Sequence, residues 1–403
     1  MLRRQPPAIG LLLALPSIIL TCESIDTNCI LSYPPIVSNE ADNQTNPAIV
    51  SAAKAMSEKG AAKGGRARAQ SLTPAERQAI ARNAAQKRWG AKTVRQASAV
   101  TNQPKKTKSM RIDHLFETGH PLLSFEFFPP KDEAAATQLF QSIDELHPLQ
   151  PDYVSITRTG GGTSPTVDLT LRIQRELKIR SMAHLTCVGH TRDEMGLALD
   201  QLWEGGIRNV LALRGDLRPG GPTIPEADGF AYANDLTEFV QARHDFCIGV
   251  AGYPEGHPQC LNTTRDMENL KKKIDAGGDF VITQLFFDNA DFFRWRDKCS
   301  AMGIDVPLIA GIMPILGVAQ TKRFVSMCGA KIPQPLLLRL ESLESDPQAV
   351  HAAGVEHAIR QSQELLASGV AGIHFYTLNR SKATVLICQA LNMNTEAGTR
   401  NAE

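Results

Sequence analysis

The chain has 403 residues, and its 42% hydrophobic and 21% charged content is ordinary for a globular protein. Its net charge of +1 hides an uneven distribution, because residues 1–110 carry 16 Lys+Arg against 6 Asp+Glu while residues 111–403 carry 27 against 36. Its 8 cysteines form no CxxC pair, which argues against a disulfide framework or a zinc site, and no run of 18 apolar residues follows residue 30, which argues against a membrane span in the body.

The first 22 residues have the pattern of a secretory signal. Arg3 and Arg4 precede a short apolar segment that ends before Cys22. Thr21 is a poor match to the small residue that lipoprotein processing needs before the cysteine. The alternative is a translation start further along the chain, for instance at Met56, which agrees with the cytoplasmic location that we expect for the body.

Residues 31–55 are polar and are expected to be disordered, and a short basic helix is predicted at about 73–89. Thr73 and Pro74 are typical of its first turn and Gly90 of its end. The basic segment 54–95 is interpreted as a solvated appendage, with contact to nucleic acid as the weaker alternative. The domain organisation is therefore a basic, largely disordered extension over 1–110, a folded body over 111–395 and a tail over 396–403.

The body contains eight short runs rich in strand-forming residues, which alternate with amphipathic helical stretches such as Ala134–Leu146. The runs are Leu122–Phe128, Tyr153–Thr157, Met182–Cys187, Val210–Arg214, Ile248–Tyr253, Phe280–Phe286, Leu308–Met313 and Ile373–Leu378. Eight such pairs predict the α/β class and a (β/α)8 TIM barrel. The alternative is a doubly wound open sheet, but the chain has no G-x-G-x-x-G turn after its first strand.

Polar side chains stand at or just after the ends of most of these runs. They include Glu126, Thr157, His184, Arg214, Asp216, Tyr253, His257, Gln284, Tyr376 and Arg380. In a barrel the carboxyl ends of all strands meet on one face, where active sites are built. The pattern therefore predicts a functional rim.

Glu126 stands out because it lies within the apolar run Leu122–Phe128. It could be incidental, turning to water or pairing with a basic group at the strand end. Alternatively it is a general acid whose apolar neighbours raise its pKa.

The stretch 266–273 predicts a helix that places Asp266, Asn269 and Lys273 on adjacent turns. This face is either a solvated amphipathic surface or one that grips the phosphates and hydroxyls of a cofactor, with Lys272 and Lys273 supplying charge.

Six segments resemble the signature segments of the methylenetetrahydrofolate reductase family, in its order and at its spacing, over about residues 112–392. They are Ser124–Pro130, Ala183–Cys187, Ala212–Asp216, Gly252–Pro258, Ile282–Asp288 and His374–Arg380. The resemblance is to the bacterial-type catalytic barrel.

The resemblance implies an FAD-dependent oxidoreductase that uses NADH or NADPH to convert 5,10-methylenetetrahydrofolate to 5-methyltetrahydrofolate, in one-carbon metabolism and methionine supply. It implies that Glu126 protonates folate N10 to open the ring to an iminium, which receives hydride from the flavin. It also implies that Asp216 lies near both rings and favours the cation. Both substrates would use one flavin face in turn, so ping-pong kinetics are expected.

The resemblance further implies the ligand contacts. Those to flavin are Thr157, His184, Arg214, Gly215, Asp216, Tyr232, Ala233, Tyr253, His257, Asp266, Asn269, Lys272 and Lys273. Those to substrate are Glu126, Asp216, Gln284, Gln320, Phe324, Tyr376 and Arg380. Folate and a pyridine nucleotide are the expected partners, in a homo-oligomer, with no metal, no membrane contact by the barrel and no nucleic acid.

The chain departs from the family pattern in two loops. Arg158 and Thr159 stand where the family often has an aromatic residue, and the loop 217–229 is rich in proline and glycine. The chain stops at Glu403, without the large C-terminal regulatory domain of the family's eukaryotic enzymes, so no control by adenosylmethionine is expected.

Two alternatives stay open at the sequence level. One is the same barrel working mainly as a 5-methyltetrahydrofolate oxidase in one-carbon catabolism. The other is a non-catalytic binding module whose basic extension contacts nucleic acid.

Overall fold

The computed structural model describes residues 110–158, 164–216 and 228–393. The signal-like residues 1–22, the basic helix at 73–89 and the tail 396–403 lie outside these ranges.

The core of the body is a closed barrel of parallel strands in which each strand pairs with the next and β8 pairs with β1. The strands are β1 Leu122–Phe127, β2 Tyr153–Ile156, β3 Ser181–Thr186, β4 Asn209–Leu213, β5 Cys247–Gly252, β6 Phe280–Thr283, β7 Leu308–Ile312 and β8 Gly372–Tyr376. The predicted (β/α)8 barrel is confirmed, and the open sheet is excluded. Most strands end one to three residues before their predicted ends, since the apolar runs continue into the first residues of the loops.

Helices follow each strand and cover the outside of the barrel. They are α1 Glu133–Leu146, α2 Ser164–Leu177, α3 Arg192–Glu204, α4 Ala233–Arg243, α5 Thr263–Asp275, α6 Asn289–Ala301, α7 Val318–Cys328, α8 Gln334–Ser342, α9 Pro347–Ala367 and α10 Lys382–Ala390. Three of them, α7 to α9, separate β7 from β8. None of the helices in the described ranges has both the length and the apolar character needed to cross a bilayer.

Local signals explain where several helices begin. The Asp132 side chain accepts a hydrogen bond from Ala135 N at the start of α1. Thr191 and Glu194 form a reciprocal capping box at the start of α3. Asp346 accepts from two backbone amides of α9, whose first residue is Pro347.

The strands alternate between two cores, because successive side chains point to opposite faces. Phe125 and Phe127 belong to the apolar cluster between strands and helices, whereas Leu122 and Tyr153 belong to the cluster inside the barrel. Glu126 has the same parity as Leu122 and therefore points inward.

The amino-terminal end of the barrel is closed by the 3-10 helix Asp113–Thr118 and the residue before it. Ile112 is fully buried in the inner cluster, and the Phe116 ring lies 5.7 Å from the Phe280 ring. Asn209 fixes this segment, since its side chain accepts from Ile112 N and donates to Met110 O, both at 2.8 Å. Access to the interior is therefore from the carboxyl end of the strands.

We predict that Gly311→Ala destabilises the barrel. A Cβ there would lie 2.3 Å from Thr283 O and 2.7 Å from the Tyr376 ring. Overpacking of this kind costs ~1–3 kcal/mol, which corresponds to a melting temperature lower by about 3–8 °C. Thermal unfolding followed by circular dichroism measures the change.

The matched control is Gly317→Ala, where a Cβ meets nothing within 4 Å and the backbone is extended. Equal melting temperatures for the two variants would contradict the predicted clash.

Candidate functional site

Towards the carboxyl ends of the strands, which we call the upper end, the interior of the barrel contains polar side chains in place of an apolar core. His374 Nδ1 on β8 lies 2.8 Å from Ser124 Oγ on β1, and His374 Nε2 lies 3.3 Å from Glu126 Oε2. Ser155 Oγ on β2 lies 3.4 Å from the same Nε2. The pairing of β1 with β8 places Ser124 opposite His374, so closure of the barrel creates this row.

Glu126 is a buried carboxyl group with an open oxygen. The residue is 1% exposed, and within the described ranges its Oε1 has no hydrogen-bond partner. Burial raises the pKa of Glu126 because it removes the charged form from water, and the hydrogen bond and charge of His374 oppose this only in part. The protonated acid therefore persists to higher pH than for an exposed glutamate, and Oε1 is free to contact a ligand.

His184 on β3 adds a second imidazole beside this carboxyl group. Its Nε2 lies 3.6 Å from Glu126 Oε2. Burial and, secondarily, the nearby His374 lower the pKa of His184 to about 3. His184 is thus uncharged near neutral pH and does not neutralise Glu126.

A cavity of about 580 Å³, including space open to solvent, lies over the ends of β2 to β5. It is lined by Arg158, His184, Thr186, Ala212, Leu213, Arg214, Gly215, Asp216, Ala233, Ala251, Tyr253, His257 and Lys273. Three of these side chains are basic and one is acidic, so the cavity has the charge that an anionic ligand requires.

A network of side chains organises the outer wall of the cavity. Arg214 donates to Gln259 Oε1 at 2.5 Å, and Gln259 N donates to His257 Nδ1 at 3.1 Å. His257 N in turn donates to Asp266 Oδ2 at 3.2 Å. The His257 ring also packs edge-on against Tyr253 at 4.5 Å. The loop after β5 is therefore tied to both β4 and α5.

Lys273 reaches the cavity from α5, and its Nζ donates to Ala251 O. Burial lowers the pKa of Lys273 to about 8, with the charge of Asp266 opposing the shift. Burial likewise lowers the pKa of His257 to about 4. Lys273 carries its charge at neutral pH, and a bound anion would favour that charge further.

Two backbone segments border the cavity, the turn at Gly215 and the start of α4. Gly215 has φ of +83°, and a Cβ there would lie 3.0 Å from Thr186 Cβ. Ala233 begins α4 and lines the cavity, so the amino-terminal end of that helix borders the cavity. Helix amino termini attract phosphates through these amides and the helix dipole.

The open carboxyl end of the barrel, which we call the mouth, is apolar on the side away from this cavity. Phe128, Met313 and Tyr376, at the ends of β1, β7 and β8, belong to one cluster with residues of α7 to α9, and Phe324 of α7 packs against it. Gln320 lies one turn before Phe324 on α7. The mouth thus has a basic half over β2 to β5 and an apolar half over β6 to β8 and β1.

The structure brings several of the predicted ligand residues together at the cavity, and ligand contact by them stays a prediction. Glu126, His184, Arg214, Gly215, Asp216, Ala233, Tyr253, His257 and Lys273 line the cavity or the interior beside it. Thr157 is buried at the end of β2, and its Oγ1 has no partner within the described ranges. Gln284 is buried just after β6, and its Oε1 accepts from Leu285 N at 2.8 Å.

Other predicted residues are not brought to the cavity. Asn269 and Lys272 are exposed on α5, Arg380 is exposed after β8, and Tyr232 is 61% exposed beside the cavity. The Tyr376 hydroxyl donates to Thr283 O at 2.6 Å, so it is committed to the barrel wall. Ligand contact by these five side chains stays a prediction.

The sequence argument assigned no role to Ser124, His374 or Arg158. Arg158 is 3% exposed, lines the cavity and hydrogen-bonds to His190, and burial lowers its pKa to about 10. A two-residue period could have indicated Ser124 and His374, because each lies two residues before an inward-pointing rim residue, Glu126 or Tyr376.

Comparison with known proteins shows which family has these features. The family model described as methylenetetrahydrofolate reductase matches residues 111–392, which is the whole described barrel. The chain belongs to the methylenetetrahydrofolate reductase family. Membership makes it an oxidoreductase of folate-linked one-carbon metabolism.

Curated methylenetetrahydrofolate reductases match the same part of the chain. The 5,10-methylenetetrahydrofolate reductases of Salmonella typhimurium and Escherichia coli are each 39% identical to it, over 67% of this chain and 90% of theirs. The methylenetetrahydrofolate reductase (NADH) 1 of Arabidopsis thaliana is 37% identical over 71% of this chain and 51% of its own length. The match to the bacterial relatives therefore spans nearly their full length.

We predict that His374→Leu raises the pKa of Glu126 further, because it removes the hydrogen bond that favours the carboxylate. The measurement is an infrared pH titration of the carboxylic acid band, which is assigned by its loss in Glu126→Gln.

Exposed His120 supplies the control, and His120→Leu should leave the titration unchanged. An unshifted titration in folded His374→Leu would show that His374 does not act on the carboxyl group.

Proposed function

We propose that this chain reduces 5,10-methylenetetrahydrofolate to 5-methyltetrahydrofolate with FAD as cofactor and NADH or NADPH as electron donor, by a ping-pong mechanism. The observation that carries the proposal is the buried Glu126 carboxyl group, with its raised pKa and open Oε1, beside a basic cavity in a barrel of this family. Folate and the pyridine nucleotide are the proposed small-molecule partners, and a homo-oligomer is the proposed assembly.

The residues present in the cavity fit FAD. Arg214 and Lys273 supply positive charge, and the amino end of α4 supplies amide donors, which together suit a pyrophosphate group. Thr157 Oγ1 and His184 Nε2 are buried and have no hydrogen-bond partner among the described residues, which suits the polar edge of a ring. When bound, the flavin accepts hydride from the nicotinamide and passes it to the folate.

The remaining chemistry belongs to the protein's own side chains. Burial raises the pKa of Glu126, so its acid form persists to higher pH than in an exposed glutamate, and that form donates its proton to a folate nitrogen. His374 then stabilises the carboxylate through the hydrogen bond from the 3.3 Å pair, and Ser124 fixes the orientation of the imidazole. The carboxyl group thus keeps its proton to higher pH before the transfer, and the hydrogen bond to His374 stabilises the carboxylate after it.

Among the described residues that line the cavity, Asp216 is the one acidic side chain. Its negative charge favours a cation that forms on the folate once Glu126 has donated its proton. The apolar half of the mouth, with Phe324, excludes water from that cation.

We predict that Glu126→Gln separates the two half-reactions. Flavin reduction by the pyridine nucleotide should stay within about twofold of wild type, whereas folate reduction should fall ~10²–10⁴-fold because the general acid is lost. Wild-type folate reduction should slow as pH rises through the raised pKa of Glu126, since the acid form disappears. Anaerobic stopped-flow absorbance resolves both steps.

Glu117→Gln, which changes an exposed glutamate, is the matched control. If Glu126→Gln slows both half-reactions equally, Glu126 is not the acid.

We predict that Lys273→Met weakens FAD binding by about 10- to 100-fold, the range expected for one charge-assisted hydrogen bond. Wild-type affinity should fall as pH rises above about 8, because Lys273 then loses its proton. Quenching of flavin fluorescence on binding measures both effects.

Lys271→Met, on the same helix but paired with Asp275, should bind FAD like wild type. A Lys273→Met protein with wild-type affinity and pH dependence would remove Lys273 from the flavin site.

A further inference from the structure

Two contacts join the loop after β5 to the end of α7. Glu255 Oε2 accepts a hydrogen bond from Lys331 N at 3.0 Å, across 76 residues of sequence. Pro258 packs against Gly329, where an added Cβ would lie only 3.1 Å from Pro258 Cβ. Gly329 ends α7 with φ of +74°, so glycine suits this position for its conformation as well as for the contact.

The two segments belong to different halves of the mouth. The loop from Tyr253 carries Tyr253 and His257, which line the basic cavity. Helix α7 carries Gln320 and Phe324 and packs on the apolar cluster through Val318 and Cys328. The contacts of Glu255 and Pro258 therefore connect the basic half of the mouth to its apolar half, outside the barrel itself.

The surroundings of Glu255 show that this connection is maintained at a cost. The carboxyl group is half-buried, and burial raises its pKa to about 7. The Lys331 amide and the Lys331 charge favour the carboxylate, whereas Asp288 and Asp291 disfavour it, and Cys328 is a further neighbour. A glutamate that served only to cover this surface would lie in water, where it has no such penalty.

We propose that Glu255 is a positioning residue that holds α7, and with it Gln320 and Phe324, against the basic half of the mouth. The inference rests on the proposed function, since it assigns the two halves to the flavin and to the folate. Helix α7 also packs on the apolar cluster and is joined to α8 by the 2.7 Å ion pair between Lys322 Nζ and Glu341 Oε1. The hydrogen bond at Lys331 adds a directional contact between the end of α7 and the loop after β5.

The hydrogen bond acts on ligand affinity, because Glu255 itself lines neither the cavity nor the barrel interior. Without it, the productive position of Phe324 and Gln320 is one of several. Folate then binds only those protein molecules in which α7 has the productive position. Its apparent affinity is therefore reduced in proportion to the fraction of molecules in that position. Flavin contacts are made by the cavity residues and stay in place.

The test compares Glu255→Ala, Glu255→Gln and the control Glu268→Gln, which changes an exposed glutamate of α5. For Glu255→Ala we expect KM for methylenetetrahydrofolate to rise about 5- to 20-fold, with FAD affinity and kcat within about twofold of wild type. Glu255→Gln should recover most of the loss, because its amide oxygen still accepts from Lys331 N.

The pH dependence gives a second, independent readout. Below neutral pH the wild-type carboxyl group is protonated and resembles the amide of Glu255→Gln, so the two KM values should agree. As pH rises to 8 the wild type ionises and its hydrogen bond strengthens, so the ratio of the Gln variant's KM to that of wild type should rise above 1. This readout holds even if Glu255→Ala does not fold.

Three results would overturn the inference: a Glu255→Ala protein with the KM of the Glu268→Gln control, a fall in FAD affinity as large as the rise in KM, or a Gln-to-wild-type ratio that does not change with pH. If wild type binds no FAD and reduces no folate, the proposed function fails and this inference fails with it. If wild type is active, the same three results overturn the inference alone.

Discussion

The burial of one carboxyl group inside the barrel constrains much of the rest of the site. Glu126 is 1% exposed on β1, where an ionised carboxylate without partners would be strongly unfavourable. His374 on the neighbouring strand β8 lies 3.3 Å from this carboxyl group and 2.8 Å from Ser124 of β1, and burial raises the pKa of Glu126. The upper interior is therefore polar, whereas the lower interior is apolar and sealed by Ile112 and Phe116.

The mouth of the barrel has a basic half and an apolar half. Three basic side chains and the amino end of α4 surround the cavity over β2 to β5, which suits phosphates. Aromatic and aliphatic side chains surround the ends of β6 to β8 and β1, which suits a planar ring and excludes water. Glu126 lies where the two halves meet, with His184 on one side and His374 on the other.

Contacts between loops connect the two halves of the mouth. The strands alone fix only the base of each half, so the relative position of the two halves depends on contacts between the loops. The loop after β5 is tied to β4 through Arg214 and Gln259, to α5 through Asp266 and to the α7 end through Glu255. The longest helical insertion, α7 to α9, is thus attached to the cavity loop as well as to its own strand.

The sequence by itself determined the strand count, the helix alternation and the rim. These depend on local patterns: strand-forming runs, helix caps and polar residues at strand ends. It also indicated Glu126, because a carboxylate in an apolar run is conspicuous, and the six signature segments indicated the family. Strand ends were less accurate, since Leu285 and Phe286 continue the apolar run of β6 although the chain has already turned into the loop.

Only the tertiary structure decided which of those residues meet. Asp266 and Lys273 lie on the same side of α5, towards the cavity, because their spacing of seven residues makes almost two helical turns. Asn269, three residues after Asp266, is rotated about 60° from Asp266 around the helix axis and is exposed. His374 reaches Glu126 across 248 residues because β8 closes on β1, and Glu255 reaches Lys331 because α7 folds back over the mouth. Such contacts depend on chain closure, which no local pattern of residues records.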